Sequence, residues 1–220
     1  MNRTRIILGD DHSLVLEGIR RLLESNYDVV ASAENGKQLV SEALRLKPEI
    51  IVLDITMPIL NGIDAAKEIR KALPEAKFVF VSMHANGVYV RKAMEAGASG
   101  YVLKSGASDE LIEAMEVARK GGAFLSPGLG HDVIEEVKAR PRPASQHVLD
   151  LTGRQRQILQ LIAEGKQNKE VAAILHVSVR TVEFHRSRLM SRLGARTAAE
   201  LSRFALNEGL IGPETLNSPK

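Results

Sequence analysis

The chain has 220 residues, a net charge of +3 and 44% apolar residues, enough for two modest domains with a core each. It has no cysteine, which excludes disulfides, thiol catalysis and thiolate metal sites. No apolar stretch approaches membrane-spanning length, and Met1–Arg5 leads straight into a strand rather than a signal peptide. A soluble cytoplasmic protein with no membrane partner is expected.

The first 120 or so residues alternate strand and helix. Short, β-branched apolar runs at 5–9, 28–33, 49–53, 77–82 and 100–103 predict five strands. Helical stripes lie between them: Leu14, Ile19, Leu22 and Leu23; Leu39, Val40, Ala43 and Leu44; Ala65, Ile69 and Ala72, stopped by Pro74; Val88, Val90, Ala93 and Met94; Leu111, Ile112, Met115 and Ala118, stopped by Gly121-Gly122. Five βα units imply an α/β fold, a doubly wound five-stranded parallel sheet with right-handed crossovers. After Gly122 the pattern changes. Ser126-Pro127-Gly128 punctuates the chain, a short helix is expected at about 130–138, and residues 140–145 (RPRPAS) read as an extended linker. Four helices then follow, at about 152–163, 168–175, 178–193 and 197–208, forming a second, smaller all-α domain. The expected division is therefore 1–122, a linker at 123–148, 149–211, and a loose tail at 212–220.

Four of the five predicted strands end in a polar group: Asp10-Asp11, Asp54, Ser82 and Lys104. In a parallel sheet the carboxyl ends of the strands form the binding edge, so these groups converge although they are scattered along the chain. Asp10, Asp11 and Asp54 suit an oxygen-ligated divalent cation, and Mg²⁺ fits because it pairs with phosphoryl oxygens. A carboxylate such as Asp54 is a competent nucleophile for an aspartyl phosphate. The Ser82 hydroxyl can donate to phosphoryl oxygens, and Lys104 can supply a point charge. Taken singly, Asp10-Asp11 could be a helix cap, Lys104 a solvated lysine and Ser82 a loop hydroxyl. Their joint placement favours a site. His12 and His84 are expected to be helix-start or loop histidines rather than metal ligands, and Gly62 is expected to give the loop after Asp54 its freedom to turn.

Over about residues 4–121, Asp10-Asp11, Asp54 with Met57-Pro58 and Gly62, Ser82 and Lys104 resemble the receiver domain of two-component response regulators. That resemblance implies Mg²⁺-dependent phosphorylation of Asp54 by a sensor histidine kinase or a small phosphodonor. It implies that Ser82 and Lys104 then shift toward the phosphoryl group and that Tyr101 moves with them. Thr56, two residues after Asp54, is implied to influence the access of hydrolytic water.

The excess charge sits in the C-terminal third, where residues 151–220 hold 11 Lys and Arg against 6 Asp and Glu. Such a segment favours a polyanion, nucleic acid above all, although a solvated helical bundle would show the same balance. The helix opening at Ser178 carries Arg180, Thr181, Glu183, Phe184, His185, Ser187, Arg188 and Arg192 away from an apolar stripe of Val182, Leu189 and Leu193. Its width fits the major groove of double-stranded DNA, with basic residues and Lys169 of the preceding helix toward phosphates. Leu151-Thr152, Arg154-Gln155, Ala163-Glu164-Gly165, Asn168-Lys169, Val177-Ser178, Arg180-Thr181-Val182, His185, Leu193-Gly194 and Arg196-Thr197 are similar to the LuxR-type helix-turn-helix. This resemblance implies that Glu183, Phe184 and Ser187 face bases, that Lys169, Thr181, His185 and Arg188 hold phosphates, and that the last helix forms a dimer contact. Many relatives carry Lys where Glu183 stands; a carboxylate accepts from cytosine's amino group and repels phosphate.

The whole chain thus resembles a response regulator of the NarL/FixJ type. The implied function is phosphorylation-controlled transcription regulation by a homodimer that forms on phosphorylation, with no enzymatic activity beyond the receiver's own phosphoryl chemistry. Two other classes stay open. An aspartyl-phosphate phosphohydrolase would show sustained turnover of phosphate esters. A non-catalytic dimerisation protein would neither bind Mg²⁺ nor take up phosphate.

Overall fold

The computed structural model describes residues 3–106, 108–138, 151–212 and 215. The expected linker at 140–145 and the expected tail, apart from residues 212 and 215, lie outside the described residues. The chain forms two compact units that divide between residues 140 and 141.

The first unit runs β1 (Arg5–Gly9), α1 (Ser13–Leu23), β2 (Asp28–Ala33), α2 (Gly36–Leu46), β3 (Ile50–Leu53), α3 (Gly62–Ala72), β4 (Lys77–Ser82), α4 (Gly87–Glu95), β5 (Ala98–Leu103), α5 (Ser108–Arg119), β6 (Phe124–Leu125) and α6 (His131–Lys138). The sheet order is β2-β1-β3-β4-β5-β6, and every neighbouring pair is parallel. The sheet therefore has six strands where five were expected. Phe124 and Leu125 pair with Gly100 and Tyr101, a strand too short to leave a periodic signature. Within the stretch expected to be a linker with a short helix at about 130–138, that helix is α6, whereas β6 was not expected. Leu129 is buried in the core, and Val133, Ile134 and Val137 of α6 pack against it.

Helices cover both faces of the sheet, which is why the central strands read as unbroken apolar runs. Ile6, Leu8, Ile50, Val52, Val79, Val81 and Val102 point to one layer, with Leu16 and Leu23 of α1 and Leu111 and Met115 of α5. Ile7, Ile51, Leu53, Phe78, Phe80 and Tyr101 point to the other, with Leu39, Ile69 and Val90 of α2, α3 and α4. The edge strand β2 is only partly buried. The strand order reverses between β1 and β3, and the crevice at their carboxyl ends is the natural binding position in such a sheet.

Helices α2, α3 and α4 each start at an Asn-Gly pair. The side chains of Asn35, Asn61 and Asn86 accept from the backbone N–H of Gln38, Asp64 and Val88. Gly62 does not have a positive φ, so its role differs from the one expected. A Cβ there would stand 1.9 Å from the Asp54 carbonyl oxygen; the residue is small so that α3 can start against the strand end. Gly62→Ala is expected to cost about 2 kcal/mol through forced backbone displacement, measured by urea unfolding, and to disturb Asp54 directly.

The second unit holds α7 (Gly153–Ala163), α8 (Asn168–Leu175), α9 (Val179–Leu193) and α10 (Ala198–Asn207). Thr152 and Gln155 form a reciprocal capping box on α7. The turn from α8 to α9 passes through His176 in the left-handed region, at φ 53°, and Ser178 caps α9 by accepting from Thr181 N–H. Gly194, at φ 65°, ends α9. Ile158, Leu159, Val171, Val182, Leu189, Leu201 and Ala205 form the core of this unit. Arg186 of α9 donates to Asn168 Oδ1 at 3.0 Å and ties α9 to the start of α8.

Candidate functional site

The strand-end groups of the first unit do converge. Asp10 is 1% exposed, Asp54 3% and Ser82 0%. The Asp54 N–H donates to the Gly9 carbonyl at 2.7 Å, and the Lys104 N–H to the Ser82 carbonyl at 2.8 Å, which locks the four strand ends in pairs. Lys104 Nζ lies 2.6 Å from Asp10 Oδ2 and 2.8 Å from Asp54 Oδ2, so one ammonium bridges two buried carboxylates. The Asp54 contact is an aligned hydrogen bond. The Asp10 contact is an ion pair without hydrogen-bond alignment, and Asp10 Oδ2 has no hydrogen-bond partner among the described residues. Burial works against the charge on Lys104, but Asp54 and Asp10 outweigh it and hold its pKa above the ordinary value. The other Asp54 oxygen, Oδ1, accepts from Ile55 N–H at 2.6 Å, and the Thr56 hydroxyl donates to Oδ2 at 3.3 Å.

Asp11 lies nearer solvent. Burial raises its pKa, Asp10 and Asp54 add to the rise, and His12 opposes it. His12 is the N-cap residue of α1 and makes no side-chain cap bond. Its Nδ1 stands 3.2 Å from Asp10 Oδ1 and 2.9 Å from Asp11 Oδ1. Ligand atoms of Asp10, Asp11 and His12 lie within 4.8 Å of one another; Asp54 stands beside this group across the Lys104 ammonium. The carboxylate oxygens of this donor set, with a buried Asp10 oxygen lacking an aligned donor, fit a hard divalent cation.

One connection was not legible in the sequence. The Ser82 oxygen accepts from His84 N–H at 3.2 Å, and the His84 carbonyl accepts from the Tyr101 hydroxyl at 2.7 Å. The His84 ring stacks on Tyr89 of α4, with centroids 4.2 Å apart. His84 is thus a loop histidine, as expected, but it joins Ser82, Tyr101 and α4. Burial raises the pKa of the fully buried Tyr101 hydroxyl. Tyr101→Phe is expected to cost about 1 kcal/mol, because the His84 carbonyl loses its donor; the urea midpoint should fall with an unchanged slope.

In the second unit, Arg180, Glu183, Phe184, Ser187, Arg188 and Arg192 of α9 are exposed, as is Lys169 of α8, whereas Thr181 and His185 are half-buried. The Thr181 hydroxyl hydrogen-bonds with that of Ser178 at 2.8 Å, within the cap. His185 Nδ1 is buried and has no hydrogen-bond partner among the described residues. Val182 and Leu189 are fully buried, so the basic residues occupy the outer side of the helix.

The family model of the response regulator receiver domain matches residues 6–116, and that of the bacterial regulatory proteins of the luxR family matches residues 149–205. The chain belongs to the LuxR-family response regulators. This response regulator is 36% identical over 212 residues to the transcriptional regulatory protein MctR of Rhizobium johnstonii, covering 95% of this chain and 96% of that protein. A LuxR-family two-component response regulator from Aurantimonas is similar in structure, with a TM-score of 0.59 and 38% identity, over 63% of this chain and all of that one. RcsB from Salmonella enterica serovar Typhimurium, bound to promoter P1flhDC in the presence of the phosphomimetic BeF3-, matches with a TM-score of 0.57 and 26% identity, over 95% of this chain and 98% of that one. The assignment places the response regulator among transcriptional regulators rather than phosphohydrolases. Among the described residues no helix is long and apolar enough to cross a membrane.

Proposed function

We propose that Asp54 accepts a phosphoryl group and that its phosphorylation controls DNA binding by residues 149–211. The observation that carries the reading is the Lys104 ammonium between Asp10 and Asp54, 2.6 and 2.8 Å from them, with Ser82 buried at the end of the neighbouring strand. A carboxylate oxygen of Asp54 forms the new bond to phosphorus as the bond to the donor's leaving group breaks. That donor is a histidine kinase phosphohistidine or a small acyl phosphate. Lys104 then has a phosphoryl oxygen to pair with in place of Asp54 Oδ2, and Ser82 a phosphoryl oxygen to donate to. Asp10, Asp11 and Asp54 would hold Mg²⁺, which when bound supplies positive charge to offset the charge gathering at the transferring group.

The switch follows from the same contacts. Donation from Ser82 to the phosphoryl group reorients a hydroxyl that accepts from His84 N–H, and His84 also holds the Tyr101 hydroxyl and Tyr89 of α4. A displacement at Ser82 is therefore felt at Tyr101 and on the α4 surface, as a population shift biased by new contacts. In the active state two chains pair, and their two α9 helices engage two half-sites of duplex DNA. The RcsB neighbour, bound to a promoter in the presence of BeF3-, supports this coupling. Light scattering on the full chain, with and without Mg²⁺ and beryllium fluoride, tests the pairing. A monomer-to-dimer shift that is absent in Asp54→Asn is expected; a mass that stays monomeric under both conditions would exclude phosphorylation-driven pairing.

A further inference from the structure

Phe184 is the one large hydrophobic residue of the second unit, among the described residues, that is strongly exposed, at 56%. It lies two residues after the buried Val182, about 200° around α9, so it points away from the core. The ring is nonetheless held. The Arg188 guanidinium, one helical turn on, sits over its face at 5.5 Å from the centroid, and the His185 ring meets it edge-on at 5.6 Å and 69°. An aromatic ring fixed by a cation on the outer, basic side of a groove-width helix has an apolar surface whose exposure costs free energy and whose direction is set. The apolar feature that the major groove offers at a base edge is the 5-methyl group of thymine; the other bases present hydrogen-bonding atoms there.

Resting on the DNA-binding reading above, we infer that Phe184 selects thymine at one position of each half-site through the 5-methyl group, with Arg188 as the positioning residue that fixes the ring. Exposed Glu183 stands next to it and prefers a hydrogen-bond donor, so the two side chains read different chemistry from adjacent positions. Burying one methyl group corresponds to about a fourfold change in affinity.

The test uses the full chain with Mg²⁺ and beryllium fluoride and a duplex that it selects from a random-sequence pool. Each thymine of the selected site is replaced in turn by deoxyuridine, which removes only the methyl group. At one thymine per half-site, wild-type affinity is expected to fall about fourfold. Phe184→Ala should bind thymine and deoxyuridine duplexes equally, and Phe184→Leu, which keeps an apolar group, should retain part of the difference. No sensitive thymine in the wild type, or the same sensitivity in Phe184→Ala, would overturn the inference while leaving DNA binding intact. Failure to select any duplex would instead overturn the DNA-binding reading, and this inference with it.

Discussion

In Asp54→Asn, uptake of a phosphoryl group from a small acyl phosphate is expected to fall to background. The substitution keeps the shape of the side chain and its acceptor toward the Ile55 N–H, 2.6 Å away in the wild type, but an amide oxygen is a far weaker nucleophile than a carboxylate. The Asp10–Lys104 ion pair at 2.6 Å remains, so the variant should fold. Intact-mass spectrometry after incubation with Mg²⁺ and acyl phosphate reads the result directly. Wild-type uptake by the variant would mean that another group is the acceptor. Because Asp10 and Asp11 lie next to Asp54, the phosphorylated residue in the wild type should also be mapped by reduction of the acyl phosphate.

Lys104→Met should have the largest effect on stability. Lys104 is the bridge between Asp10 and Asp54, which are 1% and 3% exposed. Removing one partner of a buried pair leaves uncompensated charge, at a cost of about 3 kcal/mol. Urea unfolding at neutral pH measures that loss, and excess Mg²⁺ should recover more of it in the variant than in the wild type, by linkage. The pH dependence has a defined sign. The folded pKa of Lys104 is raised above its ordinary 10.5. Its stabilising contribution is therefore fully present below pH 10.5 and is lost as the pH rises through the raised folded value. The gap between wild type and variant should be flat across neutral pH and close at strongly alkaline pH. A variant as stable as the wild type at pH 7 would show that the two carboxylates do not depend on the lysine.

Much of this architecture was legible because apolar periodicity and strand-end chemistry are local signals. The runs at 5–9, 49–53, 77–82 and 100–103 became β1, β3, β4 and β5 to within two residues, and the polar residue after or at the end of each one reached the same edge. The Ser178 cap and the Gly194 stop fixed the limits of α9 in advance. Other features depend on tertiary approach and leave no local trace. Two residues of β6 carry no period. The reason for Gly62 is a carbonyl eight residues earlier in the chain, which only the folded loop brings to 1.9 Å from the place a Cβ would take. The Asn-Gly pairs that start α2, α3 and α4 are hairpin signals by composition, yet they cap helices here. The link from Ser82 through His84 to Tyr101 and Tyr89 joins residues up to 19 positions apart through one backbone unit and one ring stack.

The most direct test of the coupling between Asp54 and the basic helix is the affinity of the full chain for its selected duplex, at fixed salt, with and without Mg²⁺ and beryllium fluoride. Wild-type affinity should rise at least tenfold on addition, a coupling of about 1.4 kcal/mol, and Asp54→Asn should show no rise. Equal affinity in both states of the wild type, or the same rise in Asp54→Asn, would contradict control of DNA binding through Asp54.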